Sequence, residues 1–80
     1  MNRIKVSQRE IELMQEIFSE YNDFYKIVNN YIYFEQVNLD RIIDIIGDFF
    51  IQHGLGKSDE PTRLGIEIED LQGKFLLLVD

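Results

Sequence analysis

The sequence predicts an all-α fold, a single small bundle of three or four helices. Three observations lead there. Apolar residues recur at spacings of three and four along separate stretches, which lines them up on helix faces. Punctuation is sparse, five glycines and one proline in 80 residues, whereas a turn-rich β fold needs more. Helix-start residues precede the periodic stretches: Ser7, Asn38, and Asp59 or Thr62.

The first helix starts at Ser7. Ser7-Gln8-Arg9-Glu10 is a capping box: the serine oxygen can accept the third helical N–H, and the Glu10 carboxylate can reach back to the Ser7 N–H. Ile11, Met14, Phe18, Tyr21 and Tyr25 follow on one face, with Asn22-Asp23 as an end or a weak point. From Phe24 to Phe34 two readings compete. Tyr25, Val28 and Ile32 fit a continuing helix, while Tyr31-Ile32-Tyr33-Phe34 is a β-prone run. The pattern favours helix as far as Tyr31.

Asn38 caps the clearest helix, in which Leu39, Ile42, Ile43, Ile46, Phe49 and Phe50 form one apolar stripe. His53 and Gly54 close it, the glycine as a left-handed C′ residue with Leu55 as the apolar contact after it. Gly56-Lys57-Ser58-Asp59-Glu60-Pro61 is a polar loop. Asp59 or Thr62 caps the last helix, and Pro61 is tolerated in its first turn. Leu64, Ile68, Leu71 and Phe75 then repeat at four and three. Gly65 lies off that stripe, where a missing side chain lets another helix approach. Gly73 marks the helix end, and Leu76-Leu77-Leu78-Val79 is an apolar tail.

Eighty residues hold one domain, 1–80. A chain this short buries only about 60% of its unfolded surface, so association or ligand binding would add a large share of its stability. An apolar fraction of 45% argues against disorder. The absence of cysteine removes disulfides and favours a reducing, cytoplasmic setting. Arg9, Glu10 and Glu12 interrupt the N-terminal region before any apolar run of signal-peptide length, and no stretch reaches the roughly 18 apolar residues of a membrane span.

The net charge is −7, from 15 acids against 8 bases. That is the wrong sign for direct nucleic-acid binding, which works by displacing counterions with cations. It suits solubility, or a basic protein partner. The acids are also patterned. Glu12, Glu16 and Glu20 stand at i, i+4, i+8 of the first helix, and Asp40, Asp44 and Asp48 do the same on the Asn38-capped helix, opposite its apolar stripe. No lysine or arginine stands at i+4 to relieve either ladder. Like-charge pairs at this spacing cost about 0.2–0.5 kcal/mol each. Two readings stand side by side, a solvated acidic face and an interaction surface for cations on a partner. Ile51, apolar beside the aspartates, has the character of an interface rim.

Chemistry finds little footing. Carboxylates strung along one helix do not converge as calcium requires, and the Gly56–Glu60 loop lacks the alternating acidic pattern, so no metal and no other cofactor is expected. His53, the only histidine, sits where an imidazole complements the negative end of a helix dipole. No cysteine nucleophile, serine triad context or phosphate-binding glycine loop is present. The chain does not read as an enzyme. Tyr21, Tyr25, Tyr31, Tyr33 and Phe34 crowd its middle, as core or as interface anchors.

From His53 onward, Gly54-Leu55, Asp59-Glu60-Pro61-Thr62, Leu64-Gly65, Ile68-Glu69 and Leu71 resemble the C-terminal segment of small acidic bacterial immunity proteins of polymorphic and contact-dependent growth-inhibition toxin systems. The resemblance covers about a third of the chain. It implies a cytoplasmic protein that binds and neutralises a cognate toxin, commonly a basic nuclease domain. It carries over no catalytic residue. The expected contacts are Asp40, Asp44, Asp48 and Ile51, then Glu12, Glu16 and Glu20. Two other classes fit the same residues: a homo-oligomeric structural or regulatory module, such as a homodimer paired through the Leu76–Val79 tail, and an inhibitor that mimics nucleic acid.

Overall fold

Tyr31-Ile32-Tyr33-Phe34, the run with two readings, is a β-strand, and with it the all-α helical bundle gives way to a mixed α/β fold. The computed structural model describes residues 1–57 and 60–79. Along the chain come β1 (Asn2–Lys5), α1 (Gln8–Ile17), a 3₁₀ turn (Asn22–Phe24), β2 (Lys26–Val28) and β3 (Tyr31–Phe34). A second 3₁₀ turn (Gln36–Asn38), α2 (Leu39–His53) and α3 (Arg63–Leu76) follow. The strands form one antiparallel sheet in the order β1-β3-β2.

The sheet follows from alternation. Ile4, Ile32 and Ile27 stand in one rung across the three strands and turn inward with Phe34. Arg3, Lys5, Lys26 and Val28 turn out. A helix through residues 25–31 would have scattered these side chains around its axis, whereas the period of two sorts them onto faces. Asn29 and Asn30 make the two-residue turn between β2 and β3, with Asn29 at φ 56°, a left-handed conformation that asparagine tolerates better than most residues.

The capping box forms in full: Ser7 Oγ accepts from the Glu10 N–H at 3.1 Å, and the Ser7 N–H donates to Glu10 Oε1 at 2.9 Å. The helix it starts ends at Ile17, one turn before Tyr21. The chain then turns back, and Tyr25 packs edge-to-face on Phe18 with ring centroids 5.2 Å apart while its hydroxyl donates to the Met14 carbonyl. Asn38 precedes α2 without a side-chain cap, because the 3₁₀ turn already leads the backbone into the helix. Gly54 is not left-handed. It lies at φ −97° and ψ −4° and is pressed against Gly65, the close approach expected at that residue. Thr62 caps α3, accepting from the Gly65 N–H; Asp59, the other candidate, lies outside the described residues. Gly73 sits inside α3 rather than at its end.

All layers share one core. Leu13, Met14, Phe18, Ile32, Phe34, Ile42, Ile46, Ile68, Leu71 and Phe75 are fully buried, each worth about 1.5–3 kcal/mol of burial for a side chain of this size. Phe34 and Phe75, with ring centroids 5.3 Å apart, lock the sheet to α3. Leu78 of the apolar tail packs on this core, while Leu76, Leu77 and Val79 stay exposed. No helix among the described residues is long and apolar enough to cross a membrane.

Candidate protein-binding surface

The stripe of Leu39, Ile42 and Ile46 is held inward by burial, so the opposite side of α2 is fixed outward. Asp40, Asp44 and Asp48 stand exposed along it. Ile51 falls on the same side by helical periodicity and is 67% exposed. The result is a strip of three carboxylates with an aliphatic side chain at its C-terminal end.

The glutamate ladder does not survive as drawn. Glu12 and Glu16 are exposed on α1, but Glu20 lies beyond the end of that helix. Glu12 is also partly satisfied, since Arg9, three residues before it, approaches to 3.7 Å. Arg9 spends its better contact on Glu67 of α3, at 3.1 Å through two nitrogens. This hydrogen-bonded pairing lowers the pKa of Glu67 and raises that of Arg9. Among the described residues, Asp40, Asp44, Asp48, Glu16 and Glu20 have no lysine or arginine within ion-pair distance.

By leaving the helix, Glu20 reaches a place the linear pattern does not foretell. It lines a shallow groove of about 240 Å³ between the end of α1 and α2, with Tyr21, Ile45, Asp48, Phe49 and Gln52. The last acids of both ladders thus meet over one depression. Its walls are aromatic and aliphatic. Tyr21 stacks on Phe24 with centroids 6.4 Å apart, and the Phe49 ring lies 4.5 Å from that of His53. Two carboxylates in a groove also lined by Tyr21 and Phe49 favour a cationic side chain, which gains from opposite charge and from contact with the rings. Phe49 and Gln52 are absent from the expected contacts. The sequence reaches the groove through Glu20 and Asp48 of the ladders and through Tyr21 of the aromatic cluster, but not through Gln52.

A larger depression of about 370 Å³ lies beside β2 and the end of β3, with Asp23, Lys26 and Glu35 around Tyr33 and Phe24. It mixes charges of both signs and has no acid–base pair of its own. Among the described residues, no three histidine, aspartate or glutamate side chains converge as a metal site would require. His53 is exposed at the end of α2, its ring occupied by Phe49.

Comparison with family models, with curated proteins and with solved structures found no match to this chain.

Proposed function

We propose that this chain is a protein-binding module, an immunity protein that neutralises a basic toxin, with a nuclease domain as the partner its acidic surface suits best. The observation that carries this reading is the groove lined by Glu20, Asp48, Tyr21 and Phe49, continuous along α2 with Asp44, Asp40 and Ile51. A lysine or arginine of the partner enters the groove. The remaining aspartates steer the encounter, and Ile51 with the groove walls supplies the holding contacts. The C-terminal resemblance to immunity proteins supports the choice of a toxin as the partner. Inhibition follows from occupying cations that a nuclease needs for phosphate.

The test is capture from lysate of the source organism on the immobilised chain, followed by an activity assay of whatever basic protein is retained. The wild type is expected to hold it in low salt, release it as salt rises, and suppress its activity. D44K/D48K is expected to lower the association rate about tenfold or more, with an unchanged circular dichroism spectrum. Equal capture by wild type and variant would remove α2 from the mechanism. A captured protein whose activity is untouched would remove the immunity role.

A further inference from the structure

The outer face of the sheet reverses the charge of the molecule. Its register sets two rungs across the three strands: Arg3–Tyr33–Lys26 and Lys5–Tyr31–Val28. Three of the chain's eight bases stand on this face, exposed, and no acid shares either rung; Asp23 and Glu35 flank it only at the edge, beside Lys26 and Tyr33. The Arg3 guanidinium lies 4.7 Å over the Tyr31 ring, whose centroid is 6.4 Å from that of Tyr33. The Tyr33 hydroxyl, accepting from the guanidinium, pushes the Arg3 pKa further up from its already high ordinary value. The helices cover the other side of the sheet, and Val28 stands half in solvent at the edge of this one.

We infer that this face is a docking surface for α2 of a second copy of the chain. Strands are about 4.8 Å apart, so three of them span about 10 Å, the width of one helix. The chemistry is complementary: three cations beside two half-buried tyrosines on the sheet, and three carboxylates followed by an exposed isoleucine along α2. The two surfaces cannot meet within one chain, because each points away from the core that both elements share. They meet only between copies, in a head-to-tail, heterologous contact. In that assembly the α2 strip is covered, so association and capture of a basic partner compete. The inference goes beyond the partner reading and does not depend on it, since it needs only the chain itself.

Sedimentation of the pure, full chain tests it, from micromolar to near-millimolar concentration, in low salt and in about 1 M salt, where screening acts within about 3 Å. In low salt the mass is expected to rise with concentration above the 9.5 kDa of one chain, and to return to it in high salt. K5E/K26E and D44K/D48K, each checked for native circular dichroism, are each expected to weaken association by about tenfold or more. Their equimolar mixture is expected to associate again. Both variants keep a net negative charge, so recovery requires the two faces to meet. Should K5E/K26E fail to fold, K26E alone, on an exposed edge position, carries the same test. A single chain at every concentration in low salt would overturn the inference. So would a mixture no heavier than its components, or association that persists in high salt and disappears in Leu77→Glu, which would place the contact at the apolar tail.

Discussion

Two glycines in the same helix have opposite roles, and only their surroundings separate them. A Cβ on Gly65 would lie 2.1 Å from the Gly54 carbonyl oxygen and 3.2 Å from the Gly54 Cα. Both obstacles are backbone, at the point where the end of α2 meets the start of α3, and Thr62 holds the same carbonyl through its N–H at 2.9 Å and its hydroxyl at 3.1 Å. Gly65→Ala must therefore push the two helices apart, and is expected to destabilise the chain by about 2–3 kcal/mol, at the upper end of the overpacking range. A Cβ on Gly73 would meet nothing within 4 Å. Gly73→Ala is expected to stabilise by about 0.5–1 kcal/mol through helix propensity alone. Urea denaturation of the two variants checks both signs. The close approach at Gly65 is legible in the sequence as a glycine off the apolar stripe. Its partner is not, because Gly54 reads equally well as a left-handed helix stop.

Local signals held where a few consecutive residues decide the outcome. The Ser7–Glu10 capping box is complete within four residues, so its sequence reading and its geometry agree. What four residues cannot announce is that the Glu10 carboxylate also accepts from Lys74 of α3 at 2.6 Å, while the same ammonium donates to the Lys5 carbonyl of β1. Burial pushes the Glu10 carboxyl up, but the Lys74 and Ser7 hydrogen bonds outweigh it and hold the group below the ordinary glutamate value of 4.5. A carboxylate depressed by folding stabilises the native state above its unfolded pKa, and that stability is lost as pH falls through the folded value. Thermal unfolding between neutral pH and about pH 3 is expected to fall less steeply in E10Q than in the wild type. Equal slopes would mean that the clasp between β1, α1 and α3 does not depend on this charge. The strands failed to announce themselves for the converse reason. β1 and β3 are four residues each and β2 is three, shorter than the window over which a period of two can be told from a period of 3.6. Asn29-Asn30 between apolar runs is a hairpin signal, and Arg3-Ile4-Lys5-Val6 alternates as an edge strand does, but each is only a few residues long. The helical spacing of Tyr25, Val28 and Ile32 competes with the β-prone Tyr31–Phe34 run and masks the hairpin.

At the scale of the molecule, net charge hides a division of labour. The value of −7 describes neither surface: α2 presents aspartates, and the sheet presents Arg3, Lys5 and Lys26. The Asp40, Asp44 and Asp48 strip was legible because a regular helix converts spacing into direction. The groove was not, because it needs α1 to stop at Ile17 so that Glu20 can come beside Asp48, and tertiary packing sets that stop. The strip also runs against stability. Asp40 gains from the positive end of the α2 dipole, but Asp44 repels a neighbour on each side and, although Arg41 stands three residues before it, forms no ion pair among the described residues. Asp44→Asn removes both repulsions and adds no bulk. It is expected to stabilise the chain by about 0.4–1 kcal/mol in low salt, and by almost nothing in about 1 M salt, where the repulsion is already screened. If the strip serves a partner, the same substitution slows association with a basic protein, so stability and binding move in opposite directions. Urea titrations at the two salt concentrations, set beside the association rate, measure both. A gain in stability with no loss of rate would mean that Asp44 is solvated surface, and that recognition begins further along α2, at Asp48 and the groove.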